Sequence, residues 1–417
     1  MAVVVTTRSF PADFLWGVAS SGHQTEGDNV DSDTWFLENV TPSVFREPSG
    51  PATDSWNRWL EDVELAAAMN LNAYRFSVEW ARVEPREDEF SAEALDHYEA
   101  VVDACLERGM APVVTFNHFT SPHWFAMRSG WLDPEAPELF ARYCDRVMER
   151  FGDRIAYAVT FNEPNLVRVL SWYGLPQFVH DLERATLQAA SDATGVAAYR
   201  AGNVCLPEDF DAQEAGLVAG HRAARAAIKA RRADLPVGLS LAIMDDVVVG
   251  SDATIRDRKR AECYQLFLEL ARDDEFIGVQ NYEQVPYDAL GKVDAPADAE
   301  RNQMGTVIEP RSLAGAARWA HEVSGVPVLV TEHGMATQDD RDRAGFIEPS
   351  LAHLHEAMED GLPVIGYCHW TLLDNFEWIF GYEYQLGLHE VDRETFVRTP
   401  KPSAGVYAAI AKANAVG

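Results

Sequence analysis

Two carboxyl groups, Glu163 and Glu332, each stand where an apolar, β-prone run gives way to polar residues. Glu163 lies in Thr160-Phe161-Asn162-Glu163-Pro164, after Ile155-Ala156-Tyr157-Ala158-Val159, so the extended segment stops where an amide and a carboxyl appear. Alone, Asn-Glu-Pro fits a turn or helix cap as well as a site. Set opposite Glu332, it suits glycoside hydrolysis, in which a retaining enzyme holds an acid/base carboxyl and a nucleophilic carboxylate ~5 to 5.5 Å apart. One must be protonated while the other is ionised. Arg75 near Glu332 would keep that group a carboxylate, and Glu163, beside the neutral Asn162, would have its pKa raised and donate the proton. Once a glycosyl-enzyme forms, the charge on Glu332 is consumed and Glu163 turns to activating water.

Such a pair needs a frame that carries both groups to one mouth. Short apolar runs predict strands over Phe14–Ala19, Leu71–Val78, Ala111–Asn117, Ile155–Phe161, Val237–Ala242, Phe276–Asn281, Pro327–Thr331 and Pro363–Tyr367. Between and after them, amphipathic patterns predict helices over Leu60–Met69, Ala92–Arg108, Pro137–Arg150, Asp211–Arg231, Arg256–Ala271, Leu313–Ser324, Arg341–Asp360 and Ser403–Asn414. In the second helix Leu95, Tyr98, Val101, Val102 and Cys105 share one face while Asp96, Glu99, Asp103 and Glu107 take the other. Eight alternating units favour an α/β fold, a single (β/α)8 TIM barrel over residues 1–417, and no G-x-G-x-x-G follows the first strand to support a dinucleotide site. Thr41–Asp54, Pro164–Asp209, Val285–Arg311 and Thr371–Pro400 read as irregular, and three of them follow a strand directly, extending over the C-terminal face. That face gathers Gln24 and Glu26, Arg75 and Glu79, Asn117-His118-Phe119, Asn162-Glu163, Gln280-Asn281-Tyr282, Glu332-His333 and His369-Trp370.

Read together, these segments resemble glycoside hydrolase family 1, the β-glucosidase and β-glycosidase family, over nearly the whole chain. Phe14-Leu15-Trp16-Gly17 with Gln24 and Glu26-Gly27 is similar to the family's opening motif, and Tyr74-Arg75-Phe76-Ser77 to its second-strand motif. Thr160–Pro164 resembles the acid/base motif, and Val330-Thr331-Glu332-His333-Gly334 the nucleophile motif with His for the usual Asn. Trp370-Thr371-Leu372-Leu373-Asp374-Asn375-Phe376-Glu377-Trp378, then Gly381-Tyr382, is the most specific likeness, and Arg398 with Pro400-Lys401-Pro402-Ser403 resembles the family's ending. The resemblance implies that Glu163 is the acid/base and Glu332 the nucleophile, supported by Arg75 and by a hydrogen bond from Tyr282. It also implies that Gln24, His118, Glu377 and Trp378 bind hydroxyls of the nonreducing sugar, Asn162 its 2-hydroxyl, and that Trp370 floors the ring. Polar groups for the hydroxyls and an aromatic for the apolar face are what a sugar requires.

Several positions depart from that pattern. Phe119, a pocket residue, stands where Trp is usual and lacks an indole N–H; Leu386 replaces an aromatic, Gln385 an Arg, and Gln280 an Asn. These changes are expected to touch the sugar pocket and to broaden the glycone from glucose towards galactosyl or fucosyl units. Glu377 argues against a 6-phosphoglycosidase, since a carboxylate there would repel the phosphate. Glu163 argues against a myrosinase-like enzyme, which lacks that acid/base. Trp124, Trp131 and Trp172 are candidates for the leaving-group side or for packing. A transglycosidase using the same two glutamates and a non-catalytic sugar-binding relative are the alternative readings. A metal-dependent hydrolase would need His and Asp ligands at several strand ends, and His123, five residues past His118, has no acidic partner at ligand spacing. No cofactor or metal is implied, and the expected partner is a small glycoside or oligosaccharide.

Composition narrows the partners. A formal charge of −31 disfavours nucleic acid and anionic membranes, both of which select basic surfaces. No apolar run approaches the ~20 residues that span a bilayer, and Ala2–Val5 has no basic stretch before it to mark a secretion signal, so a cytoplasmic location is expected. The cysteines at 105, 144, 205, 263 and 368 are widely spaced and odd in number, which predicts free thiols.

Overall fold

A computed structural model describes residues 7–417, and the opening run Ala2–Val5 lies outside them. Eight parallel strands close into a barrel: β1 (Leu15–Ala19), β2 (Ala73–Ser77), β3 (Ala111–Asn117), β4 (Tyr157–Asn162), β5 (Val237–Ala242), β6 (Phe276–Asn281), β7 (Val328–His333) and β8 (Val364–Trp370). Each pairs with its neighbour in sequence, and β8 returns to β1 through Gly366↔Leu15 to Trp370↔Ala19. Strands buried on both faces read as continuous apolar runs, which is why these eight segments were visible in the sequence. Inside, Val113, Val159, Phe276 and Leu329 fill one layer from four strands.

The helices form the outer ring, and α1 (Ala92–Glu107) shows how the pattern works. Ser91 caps it, accepting from the Ala94 N–H at 3.1 Å, and Leu95, Tyr98, Val101, Val102 and Cys105 are its buried stripe. On its polar side Glu99 and Asp103 both pair with Arg154. Outside the barrel, Arg8–Ser9 pairs antiparallel with Ala415–Val416.

Three expectations change. Pro164–Asp209, read as irregular, holds two helices, α2 (Leu166–Tyr173) and α3 (Gln177–Thr194). The breakers Pro164, Gly174 and Pro176 delimit them, and α3 buries only Thr186, Leu187, Ala190 and Ser191, a stripe too narrow to stand out by period. Val285–Arg311 likewise contributes Gln284–Asp288 and Gly291–Lys292 to a three-stranded sheet with Asp245–Val248. The helix expected over Arg256–Ala271 is interrupted by a π segment, Ala261–Gln265. Among the described residues no helix is long and apolar enough to cross a membrane, and the five cysteines are free and buried.

The C-terminal segment is tied to the barrel by a buried ion pair. Arg398 Nε donates to Asp62 Oδ1 at 2.8 Å, and Ser55 donates to Asp62 Oδ2 at 2.6 Å. Removing one partner of a buried pair leaves the other charged and unsolvated. Asp62→Ala should therefore lower the unfolding free energy by about 3–5 kcal/mol, measured by urea unfolding; a loss within 0.5 kcal/mol would mean that water reaches Arg398.

Candidate active site

Each strand end carries its polar group by a local device. The β4–β5 register shifts between Val159 and Asn162, and Glu163 then takes a left-handed φ of 45°, held by its N–H on the Ser240 carbonyl at 2.8 Å. Asn165 secures this corner as a side-chain rung: Nδ2 donates to the Ala242 carbonyl at 2.8 Å and Oδ1 accepts from the Ala242 N–H at 3.1 Å. A second register shift, between Val330 and Glu332 against β6, aligns Glu332 with Gln280. Gly334 permits the close end of β7, since a Cβ there would meet the Trp370 carbonyl at 2.1 Å.

Arg75, fully buried on β2, reaches across the interior to both sides of the mouth. Its Nη1 donates to Glu332 Oε1 at 2.7 Å and to the Thr331 carbonyl at 3.1 Å; Nη2 donates to Asn162 Oδ1 at 2.5 Å, and Nε to Thr115 at 3.2 Å. Tyr282 donates to the other oxygen of Glu332 at 2.7 Å. Gln280 is also fully buried and donates to Asn162 Oδ1 at 2.7 Å. With two donors on its oxygen, the Asn162 amide must turn its N–H groups elsewhere. Gln280, which stands where the family resemblance has Asn, is thus a clamp on Asn162.

The aromatic and glycone-side residues gather above this layer. His118 stacks on Trp370 with centroids 5.7 Å apart and on Trp378 at 6.2 Å, while Phe119 meets Trp378 edge-on at 5.2 Å. Gln24 accepts from Ser21 at 2.8 Å and donates to the Phe376 carbonyl at 2.8 Å, with Glu377 Oε2 at 3.5 Å. Leu386 packs with Trp370, Ala336 and Tyr282, so that departure does line the aromatic wall. His333 does not: its Nδ1 meets the Tyr367 hydroxyl at 3.0 Å and its ring stacks on Phe346, behind the mouth.

The other three aromatics all make packing contacts. Trp131 is buried between Phe125, Phe140 and Phe161, Trp124 donates to the Glu84 carbonyl, and Trp172 lies under Arg258 and donates to Glu262. Trp131 also forms part of the inner wall of a crevice with about 430 Å³ of empty space that opens beside Glu163, with Phe119, Leu166 and Leu170 along it. His123 bonds Tyr199 at 2.9 Å and packs on Phe36, and no cluster of metal-ligating side chains occurs among the described residues.

Glu163, Glu332 and Glu377 share this mouth with the single guanidinium of Arg75. Burial pushes Glu332 up, but Arg75 and the Tyr282 hydroxyl hold it back. Glu163 has no such partner: burial and then the charge of Glu332 push it well above the usual carboxylate range. Burial and Glu332 push Glu377 up to about 8. His118 is held neutral by burial and by Arg75. The arrangement therefore leaves Glu332 raised less than Glu163, so that it is the more readily ionised of the two.

The chain resembles known proteins in sequence and in fold. Residues 6–206 and 273–416 match the sequence model of Glycosyl hydrolase family 1. Beta-glucosidase A of Thermotoga maritima is 28% identical, over 98% of this chain and 99% of its own. The crystal structure of β-glycosidase BGL167 superposes with a TM-score of 0.92 at 45% identity, covering 98% of each chain. The T. maritima β-glucosidase in complex with deoxynojirimycin superposes with a TM-score of 0.82 at 26% identity, over 98% of this chain and 99% of its own.

Because Glu332 raises the pKa of Glu163, Glu332→Gln should let Glu163 ionise at lower pH than in the wild type, Arg75 remaining in place. Difference infrared spectroscopy of the protonated carboxyl band through a pH titration reads this. An unchanged or upward titration would sink the coupling.

Proposed function

The chain belongs to glycosyl hydrolase family 1 and is a glycoside hydrolase acting on O-glycosyl bonds, and we propose that it is a retaining exo-β-glycosidase that removes a terminal nonreducing β-linked sugar. The observation that carries this reading is the unequal treatment of the two carboxyls. Glu332 alone receives Arg75 and Tyr282, each at 2.7 Å, and Glu163 receives no cation.

In the first step Glu332, ionised, attacks the anomeric carbon while Glu163 protonates the departing glycosidic oxygen. Attack neutralises the carboxylate charge of Glu332, which removes the repulsion that, after burial, raised the pKa of Glu163. Glu163 has just lost its proton and, as a carboxylate, now takes one from the water that cleaves the glycosyl ester. Arg75 and Tyr282 keep the Glu332 oxygens in place through both steps. The polar rim formed by Gln24, His118, Asn162, Glu377 and Trp378 receives the hydroxyls of the sugar, and Trp370 lies against its ring.

The glycone in this reading is of glucose, galactose or fucose type. Phe119 supports the breadth, because a side chain without an N–H leaves one fewer direction from which a hydroxyl can be recognised. Rates on aryl β-glucoside, β-galactoside and β-fucoside test it: comparable values are expected, and a strong preference for glucoside would overturn it.

The mechanism makes sharper demands. Glu332→Gln should lose at least ~10³-fold in kcat, as expected where the nucleophile itself is removed. Glu163→Ala should lose most on poor leaving groups and little on activated aryl glycosides, since only the former need protonation. Activity should fall as pH drops through the Glu332 titration and fall again as pH rises through that of Glu163, with both limbs belonging to the coupled pair. Full activity in Glu332→Gln would falsify the mechanism.

A further inference from the structure

His23 sits one residue before Gln24 and is fully buried, yet it belongs to neither the acid–base pair nor the polar rim. Its Nε2 lies 2.8 Å from Glu38 Oε1, whose other oxygen accepts from the Ser49 N–H at 2.9 Å and the Ser49 hydroxyl at 2.7 Å. Both side chains of the pair are inaccessible to solvent. The Nδ1 of His23 faces the Asn29 amide at 3.4 Å, and Asn29 donates in turn to Glu79. The imidazole therefore has its ring plane fixed from both nitrogens, a hold stronger than packing alone.

That plane is shared with Trp378. The two rings stack at 5.7 Å with 8° between planes. Trp378 in turn lies within 13° of His118, and His118 within 20° of Trp370. Four rings thus run nearly parallel in series, beginning at the buried pair and ending on the aromatic floor of the mouth. Trp378 has reason to need such support: it takes a left-handed φ of 48°, it is partly open to solvent, and it opens a single short turn, Trp378–Phe380. The loop bearing it is also tied to the stretch that Glu38 holds. Tyr382 donates its hydroxyl to the Ser49 carbonyl and its N–H to Glu47.

We propose that His23, oriented by Glu38, is a positioning residue that fixes the plane of Trp378 and thereby sets which glycone hydroxyls the site recognises. This rests on the reading of Trp378 as a sugar-binding residue. The groups facing His23 are Glu38, Asn29, Glu79 and Asp33, with Trp378 and Phe376 against its ring. Burial lowers its basicity, but Glu38, aided by Glu79 and Asp33, raises it above the ordinary histidine value.

The test compares wild type, His23→Phe, Glu38→Gln and Trp378→Phe on an aryl β-glycoside and on its monodeoxy glycone analogues. His23→Phe keeps a flat ring and loses the bond to Glu38; Glu38→Gln keeps the imidazole and weakens its partner. Both are expected to lower kcat/KM about tenfold on the full sugar, chiefly through KM, as a small misplacement of a binding group does. For the deoxy analogue that lacks the hydroxyl met by Trp378, the loss should shrink to within about twofold. The double variant with Trp378→Phe should lose no more than Trp378→Phe alone. A uniform loss across the deoxy series in His23→Phe and Glu38→Gln, with Trp378→Phe showing the selective pattern, overturns the positioning role while leaving Trp378 as a sugar ligand. A Trp378→Phe profile without selectivity overturns the sugar-binding reading and this proposal with it. Should His23→Phe fail to fold, Glu38→Gln alone decides by the same pattern.

Discussion

A guanidinium with no access to water sits at the centre of the barrel mouth, and how it divides its hydrogen bonds sets Glu332 apart from Glu163. Arg75 can be charged there only because its donors are used, by Glu332, the Thr331 carbonyl, Asn162 and Thr115. Its position on β2 fixes which partner it serves. From that strand it reaches β7 through Nη1 and β4 through Nη2, but on β4 it meets the amide of Asn162 rather than the carboxyl one residue on. The asymmetry between Glu332 and Glu163 therefore comes from a one-residue difference in where a planar, forked cation lands. A lysine, with a point charge and no fork, could not hold both sides at once.

The rest of the mouth can be understood as keeping that division in place. Two register shifts, at Asn162 on β4 and at Glu332 on β7, turn the polar residues inward at the strand ends. Asn165 braces the left-handed turn at Glu163 by completing the hydrogen bonding of β5 with its own side chain. Gln280 supplies a second donor to Asn162 Oδ1, so Arg75 need not hold that amide alone. An extra methylene relative to asparagine lets a residue on β6 span to β4.

The barrel was legible because strands buried on both faces leave apolar runs that stand out without alignment, and because the helices between them carry wide apolar stripes such as that of Ala92–Glu107. Glu163 and Glu332 were legible as polar residues ending such runs. Less legible was whatever depends on reach. Nothing in the order of residues tells that Gln280 turns towards Asn162 while His333, at the end of the neighbouring strand, turns outward to Tyr367 and Phe346. The pair His23 and Glu38 was missed because neither residue is unusual by itself; the only available signal was a histidine beside Gln24, a residue already assigned to the site. The helices within Pro164–Asp209 were hidden by flanking prolines and by burial stripes of a few small residues.

Most polar groups that face the mouth are already satisfied by protein. Gln24 is held at both ends by Ser21 and the Phe376 carbonyl, Asn162 by two donors, and Glu332 by two others. His118 Nδ1 is buried without a partner. A sugar entering such a site cannot redirect these groups cheaply, so its hydroxyls must fit directions set beforehand, which is how fixed dipoles favour a transition state without reorganising during the reaction. It also locates where selectivity can change. Replacing an indole by Phe119 removes a donor without loosening any of these locks, because Phe119 packs edge-on against Trp378 and takes no part in the Arg75 network. Recognition of the sugar can therefore drift along the aromatic side while the acid–base pair, anchored on Arg75, keeps its geometry. Asn162 is where the two sides of the mouth meet, since Arg75 holds its oxygen while the stacked rings stand outside that network.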